Sequence, residues 1–529
     1  MRSILICGGG TAGWMTAVYL SHLYNRFEQT VSIELIESSD LPPVGVGEAT
    51  VHSIRHFFDM VGINEAEFFT ATDATFKLGI EFINWKQAQK GKTHSYWHPF
   101  DMQTAEIAGD NLAQCWLDNL AHTKHDYAHS VSISPYLSAA HKAPKTIDMP
   151  AYQAPIPYAY HFDAGKLATF LKSIALKRGV KHTIGAIDKV IQHNGIIQAI
   201  QTNIANKQAD FYFDCTGFRG LLINQLSANN WLSLEDELPC NRALAIQTPY
   251  PDQQQPATHT QAIAMQHGWR WRIGLQNRVG NGYVFSDKYC SESQAEQELR
   301  QDLLQNNTKL GRDAEFKLLK MRIGHRQQTW INNCCAIGLS SGFIEPLEST
   351  GIYLIEAGLR LWGEYTRFHD FSQLSKATSL LPNQYNQILR DIYQDLKRFI
   401  VLHYVLSDRQ DSEFWRSWQQ VLNQDEVLQQ QLAVWRYKPV EASDFFAAKS
   451  QLFNEINYRF VLYGMGHLPT QTVTQTTKQS ASQVPATRGS SHQQNQLNLL
   501  KQLNQFCLKQ TQKHPDQMAV LNSFKSIKS

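Results

Sequence analysis

Two residues of this chain sit in settings that invite chemistry: a lysine on an alternating apolar stretch and a glutamate beside a helix start. Lys77 lies in "ATFKLGIEFINW" (Ala74–Trp85), where Phe76, Leu78, Ile80 and Phe82 share one face and Lys77 shares the other with Thr75, Gly79 and Glu81. A period of two reads as one strand. On a solvated face Lys77 would simply pair with Glu81. Turned into a cavity, it would have a lowered pKa, because burial disfavours the ammonium. A neutral amine there could attack an electrophile, and a protonated one could hydrogen-bond it. Glu348 lies in "EPLESTG" (Glu345–Gly351), which runs into "IYLIEAGLRLW". Ile352, Ile355, Leu359 and Trp362 form an amphipathic stripe, so Ser349 or Thr350 is the expected N-cap. The free N–H groups of the first turn then suit an anion. An acid at that end stabilises the helix dipole by about 0.3–1 kcal/mol. Crowded by a bound anion, its pKa should instead rise, which suits a general acid or base.

The elements that must position these residues begin at the first strand. "SILICGGGTAGWMTAVYL" combines a buried-type strand, a glycine turn and a helix, and "VSIELIES" is a second strand ending at Glu37. Gly8, Gly10 and Gly13 match G-x-G-x-x-G, with Glu37 placed 24 residues after the last glycine. The first glycine permits the tight turn, the second lets the backbone approach a pyrophosphate, and the third allows close helix–strand contact. Glu37 would accept hydrogen bonds from ribose hydroxyls, which argues against a 2′-phosphate. The motif points to a dinucleotide without separating FAD from NAD. "ADFYFDCTGFRG" and "NCCAIGLSSGFIEP" repeat the strand-then-glycine pattern. Such strand ends gather at the carboxyl edge of an open sheet, where cofactors bind. The fold class is α/β. From about Leu380 to Gly466 the chain is helical and rich in Trp, Tyr and Leu; Pro469 to Gln494 reads as a Gln/Thr/Ser-rich linker, followed by a short helix.

Composition narrows the function classes. With 49 basic and 47 acidic residues among 529, the net charge of +2 gives no reason to expect nucleic acid or an anionic membrane as partner. No uninterrupted run of 18 apolar residues occurs, so no membrane span is expected. The eight cysteines are scattered without a C-x-x-C pair, which argues against a zinc site or a disulfide framework and fits a reducing cytoplasm. No metal site is expected.

Taken together, the segments resemble the flavin-dependent tryptophan halogenase family. The matches are "GGGTAGWM" (Gly8–Met15), "VGVGEAT" (Val44–Thr50), the Lys77 segment, "HPF" (His98–Phe100) and "HFDAGKLATFL" (His161–Leu171). They continue with "DCTGFRGLLI" (Asp214–Ile223), "WRWRIG" (Trp269–Gly274) and "GLSSGFIEPLESTGI" (Gly338–Ile352). The resemblance implies an FAD-binding, Rossmann-like domain of flavin monooxygenase type with an added, mostly helical C-terminal substrate module. Expected bounds are 1–375 for the core, with 90–150 contributing to the substrate pocket, 376–468 for the module and 469–529 for the linker and terminal helix.

The family uses reduced FAD, O2 and chloride or bromide to make hypohalous acid, which halogenates an aromatic substrate. The resemblance implies FAD contacts from Gly8, Gly10, Thr11, Ala12, Gly13, Glu37 and Ala49. Ile187 would lie near the adenine, and Leu339 and Ile352 at the isoalloxazine. Thr350 and Gly351 would hold the halide through their N–H groups. Lys77 captures or orients the electrophile, assisted by Glu348, and the choice between a covalent haloamine and a hydrogen bond stays open. His98, Phe100, Ser349, Phe453 and Asn457 would line the substrate pocket, and Trp269 and Trp271 would separate flavin from substrate. Gly274 replaces the family's usual proline, and a glycine is expected to loosen that strand end.

The stretch "VEASDFFAAKSQLFNEIN" lacks the Tyr and Glu cluster with which free-tryptophan halogenases clamp the amino-acid backbone. An indole-like aromatic is therefore expected in place of free tryptophan. No nicotinamide site or reductase domain is recognised, so a separate NAD(P)H-dependent flavin reductase is the expected partner. The rival readings are a flavin-dependent aromatic hydroxylase, which would not require Lys77, Glu348 or the paired tryptophans, and a non-enzymatic flavin-binding protein.

Overall fold

Ile4, Leu5, Ile6 and Cys7 are buried on both faces, as a central parallel strand requires. In the computed structural model they form the strand Arg2–Cys7, which ends in a glycine turn and the helix Thr11–Asn25. Gly8 takes a φ of +115°, and a Cβ there would lie 2.2 Å from the Cys215 carbonyl oxygen. A Cβ on Gly13 would lie 1.8 Å from the Gly8 oxygen, so both positions require glycine. The structure describes all residues except 1, 40–46, 89–90, 101–105, 108–109, 252–253, 307, 309, 312–313, 368–379, 451, 471–489 and 527–529. Val44–Val46 of the "VGVGEAT" motif and most of the expected linker lie outside the described residues.

The central sheet runs Lys181–Ile184, Val31–Glu37, Arg2–Cys7, Phe211–Asp214, Cys334–Ala336 and Trp330–Ile331, parallel except for the last pair. All three strand–glycine segments therefore end on one edge, as expected. Asp214 ties two of those ends together. Its Oδ1 accepts from Thr216 and Ser340, and its Oδ2 accepts from the Leu222 and Ile223 N–H groups at 2.9 Å each.

A seven-stranded sheet stands against this edge, in the order Lys317–Lys320, Arg242–Thr248, Val279–Phe285, Gly268–Gly274, Thr260–Ala264, Gly79–Ile83 and Ser95–Pro99. Here the expectation of one strand through Lys77 fails. Thr75–Lys77 pairs with Ala159–Asp163 in a small separate sheet, whereas Gly79–Ile83 joins the large one. The chain breaks at Leu78, whose N–H goes to the Thr258 oxygen (2.7 Å). Gly79 packs so tightly on His98 and Pro99 that a Cβ would lie 2.6 Å from the His98 oxygen. The alternating pattern continues across the break because Phe76, Leu78, Ile80 and Phe82 are all buried, although Thr75 and Lys77 on the other face of the first piece are buried as well.

The helices Leu380–Val405, Glu413–Gln424, Glu426–Val434 and Glu455–Gly464 make the C-terminal module. A long helix, Ser490–Thr511, begins before the expected end of the linker at Gln494, and Gln517–Ser526 follows it. The last helix reaches the Lys77 strand. Buried Gln517 accepts from the Phe76 N–H (3.0 Å) and donates to the Pro256 oxygen (2.9 Å), while Phe524 packs on Phe69. Gln517→Leu fills the same space but leaves the buried Phe76 N–H without a partner. It should lower unfolding stability by roughly 1–3 kcal/mol, read as a fall in the urea midpoint; an unchanged midpoint would show that the terminal helix does not brace this strand.

Candidate active site

Lys77 is fully buried. Its Nζ donates to the Thr50 carbonyl oxygen and to Ser349 Oγ, both at 2.9 Å, and lies 5.2 Å from the centre of the Phe100 ring. Burial pushes the ammonium down to about 7, against the pull of the Glu348 charge. The solvated Lys77–Glu81 pair is excluded, because Glu81 instead faces His259 at 3.4 Å and Gln261 at 3.2 Å. Two of the lysine's donor positions are occupied. The third is left over, as an N–H in the cation or a lone pair in the amine. Beneath it, Thr75 Oγ1 donates to the Gly274 oxygen (2.6 Å) and so accepts from His161 Nδ1–H (3.2 Å). Burial first, then the Lys77 charge, lowers the His161 pKa and keeps the ring neutral, so its Nε2 accepts from Thr260 (2.9 Å). The Gly274 strand end is thus held by Thr75 and is not loosened.

Glu348 and Ser349 have φ values of +65° and +61°. Two adjacent non-glycine residues in the left-handed region cost roughly 1–3 kcal/mol each. The strain turns Glu348 away from the helix it precedes. Its carboxylate accepts from His98 Nδ1 at 2.9 and 2.8 Å and meets His403 Nε2 at 2.8 Å. The expected rise in its pKa is therefore overturned. Burial pushes the carboxyl up, but the His98 and His403 rings that hydrogen-bond it outweigh that push and hold the group below the usual carboxylate range. The helix Gly351–Thr366 follows with Thr350 as its N-cap, and no side chain caps its end. Thr350 Oγ1 is buried without a hydrogen-bond partner.

On the other side of this turn is a chamber of about 630 Å³. Gly10, Thr11, Ala12 and Ala49 line one part; Leu339, Gly351 and Ile352 line another; Trp269 and Trp271 form a wall, their ring centres 6.3 Å apart. Glu348 and Ser349 also line it. These two residues thus border the chamber and also bond to His98 and Lys77, which are not among its walls. Trp269 Nε1 donates to Glu345 Oε1 (3.3 Å), as does Tyr404 (2.6 Å); burial raises the Glu345 acid to about 8.

The remaining candidates fall elsewhere. Glu37 holds His182 at 2.8 Å and Lys172 at 3.2 Å through Oε1, and its Oε2 lies against Gly9. Ile187 packs on the cluster of Leu5, Cys7 and Ile36, away from the chamber walls. Thr350 is buried and, unlike Gly351, is not among the chamber walls. His98 lies on the strand Ser95–Pro99. It is buried, with Nδ1 on Glu348 and Nε2 2.9 Å from Asn457 Nδ2. Phe453 stacks on Phe399 at 4.0 Å and faces the His98 ring at 6.0 Å.

Sequence reasoning missed His403, Thr50, His161 and Glu345. His161 and Glu345 lay inside segments already singled out. Thr50 acts through its backbone. His403 sits in "FIVLHYVL", where a lone histidine on an apolar face reads as core.

The fold is a glycine-turn dinucleotide-binding type, with a buried lysine and carboxylate at the edge of its chamber. The tryptophan halogenase family matches residues 3–481. The chain is 35% identical to the tryptophan 6-halogenase SttH of Streptomyces toxytricini over 78% of this chain and 80% of that protein. It is 32% identical to the tryptophan 7-halogenase RebH of Lentzea aerocolonigenes over 88% and 90%. The crystal structure of a tryptophan halogenase from Shewanella frigidimarina superposes with a TM-score of 0.86 at 31% identity, covering 99% of this chain and 97% of that one. The chain belongs to the tryptophan halogenase family and is a flavin-dependent halogenase.

The buried lysine predicts an unusual stability profile. Between about 7 and the ordinary value of 10.5 the unfolded chain carries a proton on Lys77 that the folded chain lacks, so stability rises with pH across that window. Below it the burial penalty is fully present. One pKa unit is about 1.4 kcal/mol, so the penalty is on the order of a few kcal/mol. Lys77→Met should therefore be more stable than the parent at pH 6, and the gain should shrink as pH rises through this window. Urea titrations at pH 6 and 9 check it; a variant equally destabilised at both values refutes it.

Proposed function

We propose that this protein uses reduced FAD, O2 and chloride or bromide to halogenate an aromatic C–H bond of an indole-like substrate. The observation that carries the reading is the placement of Glu348 and Ser349, which border the chamber and reach His98 and Lys77. FAD fits the chamber's residues. Open space surrounds Gly10, where a pyrophosphate would meet the uncapped helix start, and Leu339 and Ile352 offer flat apolar contact to the ring. Glu37, outside the chamber walls with Oε1 held by His182 and Lys172, would offer Oε2 to a ribose hydroxyl. Bound there, reduced FAD supplies hypohalous acid from oxygen and halide. The uncapped N–H groups at Thr350 and Gly351, next to the partnerless Thr350 hydroxyl, suit the halide. A separate flavin reductase supplies the reduced cofactor.

Lys77 then orients the hypohalous acid, and Glu348 accepts the ring proton. As the carbon–halogen bond forms, the O–X bond breaks, and the departing hydroxide takes a proton from the Lys77 ammonium to become water. The ring C–H pair returns to the aromatic system and its proton passes to Glu348. The proton then returns from Glu348 to the amine, whose Nζ lies 2.9 Å from the Ser349 hydroxyl of the neighbouring residue. The sum is ArH + HOX → ArX + H2O. His98, Phe100, Phe453 and Asn457 border the substrate side, while the Trp269 and Trp271 wall keeps the ring from the flavin. Free tryptophan is disfavoured because two of the three acids in the expected clamp stretch are engaged, Glu441 with Arg459 at 2.8 Å and Asp444 with Lys438 at 2.6 Å, which leaves Glu455 alone without a tyrosine beside it in that stretch.

With reduced FAD, bromide and an indole, the protein should give a brominated product with the bromine isotope doublet. Lys77→Ala should lose nearly all of that product while flavin oxidation continues and hypobromous acid escapes into solution, where a dye traps it. Retained product would remove Lys77 from the chemistry. Loss of flavin oxidation as well would assign it a cofactor or folding role.

A further inference from the structure

The hydrogen bonds around Glu348 determine where its neighbours carry their protons. Asn457 Oδ1 accepts from the Asn454 N–H (2.9 Å), so its Nδ2 faces and donates to His98 Nε2. His98 is therefore neutral, with its one proton on Nδ1 donated to Glu348. His403 is different. Its Nδ1 lies 2.8 Å from the Phe399 carbonyl oxygen, which can only accept, so Nδ1 carries a proton. Its Nε2 lies 2.8 Å from Glu348 Oε1, and a bare nitrogen cannot face a bare carboxylate at that distance. A second proton must sit between them. The groups that face His403 are Phe82, Trp85 and Phe399, then Tyr96 and, across Glu348, His98. Burial keeps Tyr96 neutral, and Lys77 lies on the Ser349 side of the turn. Among the described residues, Glu348 is the carboxylate within reach.

We propose that His403 is a positioning residue which, as an imidazolium paired with Glu348, keeps that carboxylate ionised to receive the ring proton. This deepens the reading of Glu348 given above and rests on it. The cation adds a consequence for proton flow. Once Glu348 has taken the ring proton it stands beside a positive ring with no second acceptor, because His403 is tied to Phe399 and His98 already donates. The proton is therefore driven off toward the Lys77 amine, which lost one when water formed. Glu348 thus acts as a relay and not a resting place.

The test compares brominated product per flavin oxidised from pH 5.5 to 9 in the parent, His403→Gln and Glu348→Gln. The glutamine amide still donates to Glu348 but carries no charge, so the carboxyl pKa rises. Measured against the parent at the same pH, His403→Gln should show a new acid limb, at least a tenfold loss at pH 6 that closes toward pH 9, which a merely structural defect would not. An unchanged profile in His403→Gln with an inactive Glu348→Gln overturns the proposal and leaves Glu348 as the base. Full bromination by Glu348→Gln overturns the reading of Glu348 itself. Should His403→Gln not fold, nitrogen-15 NMR of the histidine-labelled parent decides: both His403 ring nitrogens protonated at pH 7 supports the pair, and a neutral ring refutes it.

Discussion

The turn at Glu348 and Ser349 is the constraint on which the site depends. Two consecutive left-handed residues without glycine's freedom place one side chain on His98 and His403 and the next on Lys77. Without the turn, Glu348 would be an ordinary acid at a helix start. With it, the chamber and the buried lysine share one wall, as the proposed passage of a small oxidant from one side to the amine on the other requires.

Maintaining this wall requires balanced buried charge. Lys77 is stripped of solvent and held by one carbonyl and one hydroxyl, so its ammonium is weakened and its proton is exchangeable near neutrality. Glu348 is equally buried but has two imidazoles for company, and its charge persists. Burial alone would push both groups toward neutrality. The difference in their partners pushes their titrations apart, and such a separation allows one group to donate while the other accepts. Glu345, three residues earlier, shows the contrasting case: with Tyr404 and Trp269 as partners its acid stays protonated and anchors the tryptophan wall.

Much of this was legible in the sequence. The glycine turn, the buried parallel strands and the shared carboxyl edge followed from apolar runs ending in glycine, because such strands have few other ways to be buried. Lys77 and Glu348 stood out because each breaks the local pattern of its segment. Their environment did not stand out. His403 lies 55 positions from Glu348 on an apolar helix face, and nothing in its neighbours marks it as more than core. The break at Leu78 was hidden because Phe76, Leu78, Ile80 and Phe82 are buried on either side of it, so the apolar alternation runs straight through. The rise expected for the Glu348 pKa followed from an imagined anion; the actual partners come from distant elements that only the folded chain assembles.

The central claim is that Glu348 and Ser349 partition cofactor from substrate, and crystals grown with FAD, bromide and an indole test it most directly. The account predicts the flavin ring against Leu339, Ile352 and the tryptophan wall, an anomalous bromide peak at the start of the helix Gly351–Thr366, and the indole across the turn beside Lys77 and Phe100. An indole stacked directly on the flavin within the chamber would contradict it.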